Sequence, residues 1–260
     1  MHPELFHIDF LGFHQTVYTY AFLIGLGTLV ASLYTKWRAK KELGLKELSN
    51  NFFYLIFLAG FVGGKLFFYL ERPAYYLKNP ELMLDNFSGG FVFYGSFITI
   101  IPFLIWYLRK HQIPVLPMLD ILAFTTLIVH SIGRLGCFFG GCCYGKPTDS
   151  AVGMVFPKTG GVHVHPSQLY EITALLIIMA ILLYIKKKQQ FKGQIFLLYV
   201  IFYAIARSVL ELFRGDHRGF VIDGILSHSQ FIGIILILLS LLIYQKFKKL
   251  NNRNINLNNH

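Results

Sequence analysis

Seven apolar runs divide this chain, and they constrain its fold more than any other feature. They cover residues 17–34, 52–70, 91–108, 118–132, 169–185, 194–213 and 231–244. Crossing the hydrocarbon core of a bilayer takes roughly 20 apolar residues in a helix. In lipid every backbone amide and carbonyl must pair within its own segment, which makes helices the expected spanning element. The reading is an all-α membrane protein with seven transmembrane helices, the short fourth and last of which extend at either end. Charge supports it: only 14% of residues are Asp, Glu, Lys or Arg, against roughly 25% in soluble domains.

The net charge of +11 invites a nucleic-acid reading, but the layout of the cations excludes it. Of 24 Lys and Arg, 15 fall in four short segments: Lys36 to Lys46, Arg109–Lys110, Lys186 to Lys192 and Lys246 to Arg253. These follow the first, third, fifth and seventh runs. Excess Lys and Arg mark cytoplasmic connections, so the N-terminus is predicted outside and the C-terminus in the cytoplasm. Residues 1–250 read as a single transmembrane domain without internal repeats. Residues 251–260 read as a polar, disordered tail. The start, MHPELFHIDFLGFHQ, lacks a basic segment and a small-residue cleavage site, so no cleavable signal peptide is expected.

Charges at membrane depth cost ~2.5–3.5 kcal/mol each on insertion scales and need a partner or a use. Lys65, Arg134, Glu171, Arg207, Glu211 and Arg214 are such charges. Arg207, Glu211 and Arg214 are spaced for one helical face. They read either as an ion pair that anchors the span or as a cationic cluster for an anionic headgroup. Arginine suits phosphate because its planar fork donates two hydrogen bonds together.

The stretch GRLGCFFGGCCYG, residues 133–145, follows the fourth run. Gly133, Gly136, Gly140, Gly141 and Gly145 suggest a tight re-entrant or broken-helix element that presents Arg134 to an anion. The alternative is a glycine packing seam with Arg134 reaching the interface. Cys137, Cys142 and Cys143 admit three readings: small packing residues, a disulfide, or a metal site with His163 and His165. The last does not follow a standard zinc spacing. Downstream, in HVHPSQLYEI, Pro166 opens the fifth helix, and His165, Gln168, Tyr170 and Glu171 supply polar groups. Tyr94 opens the third run as a hydroxyl donor or a member of the aromatic belt.

Four motifs now converge. GRLGCFFGGCCYG resembles the signature of the prolipoprotein diacylglyceryl transferase family, in which Gly-Arg-x-Gly leads to a glycine 12 residues after the first. HPSQLYE, ARSVLELFRGD and GILSHSQ resemble that family's later motifs, in the same order. The likeness runs from about Tyr18 to about Tyr244. It implies a transferase of the bacterial inner (cytoplasmic) membrane. Such an enzyme moves the diacylglyceryl group of phosphatidylglycerol to a prolipoprotein cysteine thiol in the signal-peptide region, releasing glycerol phosphate. No cofactor is implied. By position, the resemblance gives Arg134 and Arg207 the headgroup phosphate and the leaving group, and Tyr18 a catalytic place in the first span. Glu211, Arg214, Lys65, His165, Gln168 and Glu171 line the substrate site, with Gly133, Gly136 and Gly145 shaping it.

This chain also departs from the family pattern. Where the family opens its third span with histidine-glycine-glycine, here stand Tyr94, Gly95 and Ser96. Two asparagines and a glutamate of the signature loop are replaced by Cys137, Gly140 and Cys142. Tyrosine, with a reference pKa near 10, is a poor base at neutral pH, whereas Cys137 or Cys142 is a candidate nucleophile. Two further readings therefore stand beside transfer to a lipobox thiol: a same-fold transferase that uses another acceptor or its own cysteine, and a non-catalytic lipid-binding or transport protein.

Overall fold

The computed structural model describes residues 4–10, 13–70, 73–85, 93–215, 220–222 and 226–258. An N-terminal antiparallel hairpin, β1 (Glu4–Phe10) with β2 (Phe13–Tyr18), leads into α1 (Thr19–Leu43). Then follow α2 (Asn50–Leu70), α3 (Pro73–Lys78), α4 (Glu81–Asp85), α5 (Phe93–Lys110) and α6 (Val115–Phe139). Two small strands, β3 (Met154–Val155) and β4 (His163–Val164), pair before α7 (Ser167–Lys186). After α8 (Gln194–Leu210) comes a 3-10 turn at Glu211–Phe213. The pair β5 (Phe220–Ile222) and β6 (Leu226–Ser227) leads into α9 (His228–Asn258).

Among the described residues, five helices are long and apolar enough to cross a membrane: Asn50–Leu70, Val115–Phe139, Ser167–Lys186, Gln194–Phe213 and Ser229–Arg253. Their outward faces carry large exposed apolar side chains such as Phe57, Leu176, Ile205, Leu238 and Leu242. In water such surface marks an interaction site; on helices of this length it is the face that lipid covers.

The chain forms two compact units, Met1–Thr35 with Leu119–His260, and Lys36–Met118. In the second, α2 and α5 approach closely through glycine. A Cβ on Gly63 would lie 2.7 Å from the Gly95 carbonyl oxygen, and one on Gly95 would lie 2.6 Å from that of Gly63. The Ser96 hydroxyl donates to the Gly60 carbonyl at 2.6 Å across the same crossing. The middle of the Tyr94–Ser96 triplet is thus glycine for packing. Towards the other end of α5, Phe52, Tyr107 and Leu108 are buried.

In the first unit, α6, α7 and α8 share a core of Ala123, Phe124, Leu127, Leu175, Ile178, Leu182 and Ile195. Asp120 ties the loop before α8 to α6. Its Oδ2 accepts from the Gly193 amide at 2.7 Å and from Gln189 Nε2 at 2.6 Å, and its Oδ1 accepts from the Phe196 amide at 2.9 Å. A carboxylate there satisfies amides that a helix start leaves open.

The structure corrects several expectations. The fourth span does not break at its glycines, since α6 runs through Gly133, Arg134 and Gly136 to Phe139. Those glycines instead admit α1: a Cβ on Gly136 would sit 3.2 Å from Tyr20, and one on Gly133 3.4 Å from Ile24. The packing-seam reading therefore holds for both. The loop starts at Gly140. Residues 17 and 18 belong to β2, and α1 continues past its first basic residues to Leu43. The polar tail is helical through Asn258. Residues 71–72, 86–92, 216–219 and 223–225, which include the start of the third apolar run and the first two residues of the GILSHSQ motif, lie outside the described residues.

Candidate functional site

Glu171, in the first turns of α7, is the hub of the polar residues in the first unit. Its side chain is 3% exposed. Arg134 Nε lies 2.9 Å from Oε2, and Arg134 Nη2 donates to Oε1 at 3.3 Å. The Tyr203 hydroxyl of α8 donates to Oε1 at 3.1 Å, and His130 Nε2 lies 3.2 Å from the same oxygen. One carboxylate thus joins α6, α7 and α8.

Arg207 follows Tyr203 by one turn of α8. Its Nη2 lies 2.8 Å from Glu211 Oε2. Its Nη1 is buried and has no hydrogen-bond partner among the described residues. Gln168 Oε1 is likewise a buried acceptor without a partner among them. An unmade bond on a buried polar group costs about 1–3 kcal/mol, so a donor left open on a cation points to an anion that fills it.

Arg214 does not share the helical face of Arg207 and Glu211, as its spacing predicts. The helix tightens to a 3-10 turn at Glu211, and Arg214 follows in extended conformation (φ −78°, ψ 143°). It bridges to Gly145, the closing glycine of the signature loop. The Gly145 amide donates to the His165 carbonyl at 2.8 Å, and the Lys146 amide to that of Phe213 at 2.9 Å. A Cβ on Gly145 would press on the Phe213 carbonyl and lie 2.9 Å from His165 Cβ. Close backbone approach therefore requires glycine there.

The signature loop hangs on the start of α7. Gln168 Nε2 donates to the Cys142 carbonyl at 2.6 Å, and the Ser167 hydroxyl to the Cys143 carbonyl at 2.8 Å. Gly141 (φ +64°) and Cys143 (φ +63°) both adopt the left-handed region. That conformation is uncommon for a side chain other than glycine, asparagine or aspartate. Its result is a cluster: the sulfurs of Cys137, Cys142 and Cys143 all lie within 4.8 Å of one another. All three thiols are free, so the disulfide reading does not describe this structure. Neither His163 nor His165 belongs to the cluster. His163 Nδ1 lies 3.3 Å from the Gly153 carbonyl and His165 Nδ1 3.1 Å from the Tyr170 hydroxyl. Thiol hydrogen bonding from Cys137 pulls the Cys143 thiol down to about 5 against its burial, helped by Cys142, Arg134 and Arg214. Burial pushes the Cys142 thiol up. A cavity of about 610 Å³ opens beside Cys142 and Cys143, with Lys158 and Arg214 on its wall.

Other predicted site residues lie elsewhere. Tyr18, at the end of β2, is 55% exposed. Lys65 is buried in α2 of the second unit, 5.5 Å from the Phe68 ring centroid and 6.0 Å from that of Tyr69. The backbone of Tyr94 belongs to α5, but its side chain lies outside the described residues. Two members of the Glu171 cluster, His130 and Tyr203, escape the sequence reading. The signal was present: each precedes a site arginine by four residues, which places it on the same helical face.

Five helices long and apolar enough to cross a membrane, together with a buried array of arginines and carboxylates in the first unit, define a multi-pass membrane protein with a cationic polar site. A family model described as prolipoprotein diacylglyceryl transferase matches residues 3–245, and the chain belongs to that family. A phosphatidylglycerol–prolipoprotein diacylglyceryl transferase of Clostridium tetani is 33% identical over 255 residues, which is 96% of this chain and 100% of the relative. A second, numbered 2, from Clostridium perfringens is 31% identical and covers 93% of this chain and 94% of itself. One from Rickettsia felis is 33% identical over 96% of this chain and 98% of its own length.

Proposed function

We infer that this chain transfers the diacylglyceryl group of phosphatidylglycerol to the lipobox cysteine thiol of prolipoproteins, in lipoprotein biosynthesis. The geometric observation that carries this reading is Arg207 Nη1, a buried cationic donor without a partner among the described residues. Charge balance agrees. Arg134, Arg207 and Arg214 against Glu171 and Glu211 leave one net positive charge, which a phosphodiester neutralises. In this reading Arg207 holds the headgroup phosphate and stabilises it as it leaves, and Arg134 assists while Glu171 fixes its guanidinium. Glu211 orients Arg207. Arg214, Gln168 and His165 complete the lining, with Tyr18 as a further contact on the substrates.

The membrane arrangement that goes with this reading has seven spans, the N-terminus outside and the C-terminus in the cytoplasm of a bacterial inner membrane. Basic segments follow alternate spans, and α1 and α5 supply the two helices beyond the five that are both long and apolar enough to span. The test uses purified protein in phosphatidylglycerol micelles with a lipobox peptide, read by mass spectrometry of the peptide. Wild type adds one diacylglyceryl group per peptide, and Arg134→Ala and Arg207→Ala abolish transfer. A peptide that wild type leaves unmodified overturns the reading.

A further inference from the structure

We propose that Cys137, Cys142 and Cys143 form a three-sulfur site for a soft divalent cation of the zinc type, whose open fourth position takes and activates the incoming lipobox thiol. The proposal rests on the transferase reading for its substrate but not for its metal.

Three observations carry it. The sulfurs already lie within 4.8 Å of one another, although they come from two different segments, the last turn of α6 and the turn that follows. Zinc bonds sulfur at about 2.3 Å, so three sulfurs around one ion stand about 4 Å apart. Closing the remaining gap, under about 1 Å, takes small rotations about the Cα–Cβ bonds of exposed Cys143 and half-buried Cys142. Second, the backbone is committed to this gathering. The Cys142 amide donates to the Cys137 carbonyl at 3.1 Å, and α7 clamps the carbonyls of Cys142 and Cys143. Cys143 holds a left-handed conformation that thiols serving only as packing do not need. Third, the cluster borders the cavity that Cys142 and Cys143 help to line, so a fourth ligand can enter from there.

The chemistry supplies what the neighbouring residues do not. Alkylating a thiol requires its thiolate. Glu171 and Glu211 are both committed to arginines, and His165 is engaged with Tyr170. His130 is held by Glu171 two turns before Cys137 on α6. A coordinating thiol loses its proton outright. In the proposed step the lipobox thiol coordinates the ion and releases its proton to water. Its sulfur then bonds to the glyceryl carbon of phosphatidylglycerol as that carbon's bond to the phosphate oxygen breaks. The oxygen keeps the electron pair, glycerol phosphate departs against the arginines, and no oxidant or reductant is consumed. Open-position sites with three protein ligands are the catalytic form of zinc sites.

The experiment takes reduced, metal-free protein in detergent and titrates it with Co²⁺, following sulfur-to-metal charge-transfer absorption, with Zn²⁺ as competitor. One ion per chain is expected, displaced by Zn²⁺. Cys137→Ser, Cys142→Ser and Cys143→Ser are each expected to weaken binding by more than about a hundredfold, beyond what loss of an outer-shell partner costs, with the thermal transition as the folding control. A lipobox peptide should alter the band, and the same peptide with serine for cysteine should not. Absence of the band, or a band indifferent to all three substitutions, overturns the site. Full-rate transfer by metal-free protein overturns thiol activation while leaving the transferase reading intact. A three-sulfur band without transfer to any peptide overturns the transferase reading instead.

Discussion

Two carboxylates are buried in the same helical unit, and they are buried for different reasons. Asp120 lies near the start of α6, and Glu171 faces the other end of that helix through Arg134. The two ends are about 21 Å apart along α6 at 1.5 Å per residue. Both side chains are nearly inaccessible. Asp120 takes its hydrogen bonds from two backbone amides and one side-chain amide. None of these partners carries charge, and none is available to a ligand. Glu171 is held by an arginine, a histidine and a tyrosine, with open polar atoms on nearby Arg207 and Gln168. A buried charge satisfied by backbone completes a fold. One satisfied by charged and polar side chains next to unfilled donors and acceptors prepares a site.

The largest expected effect breaks this contrast at Glu171. Glu171→Ala leaves the Arg134 guanidinium buried without its counter-charge, a loss of about 3–5 kcal/mol. Transfer should fall to background as the unfolding temperature drops. Near-normal transfer per folded molecule would make Glu171 a structural group like Asp120. The intermediate effect sharpens the other side. Asp120→Ala strands two amides and costs about 1–3 kcal/mol of stability, so detergent-solubilised protein should melt earlier with unchanged activity per folded molecule. A selective loss of transfer would move Asp120 into the functional class.

The smallest effect concerns the thiols. Cys143, lowered to about 5, is thiolate at neutral pH. In metal-free protein its alkylation should stay fast as pH falls toward about 5 and slow only below it. An ordinary cysteine slows from about pH 8.5 downward. Peptide mapping of the labelled site reads the result. The ordinary profile at Cys143 would mean that its neighbours do not stabilise the thiolate.

Much of this protein was legible before folding. Lipid demands long apolar helices, so α2, α6, α7, α8 and α9 announce themselves, and the cost of charge at depth singles out Arg134, Glu171, Arg207 and Glu211. Local spacing is enough for the Arg207–Glu211 pair, because residues four apart on a helix are neighbours whatever surrounds them.

Three features needed the tertiary structure. Gly133 and Gly136 look like a break, yet α6 is continuous, because whether glycine ends a helix or admits a neighbour depends on α1 lying against it. Arg214 leaves its helical face because the chain tightens after Leu210 and pairs with Gly145, which is 69 residues earlier. The three sulfurs converge because Gly141 and Cys143 turn the chain back and α7 holds it there. Periodicity and charge are local properties that a sequence displays. The partner of a buried group comes from another helix, and only packing decides which one arrives.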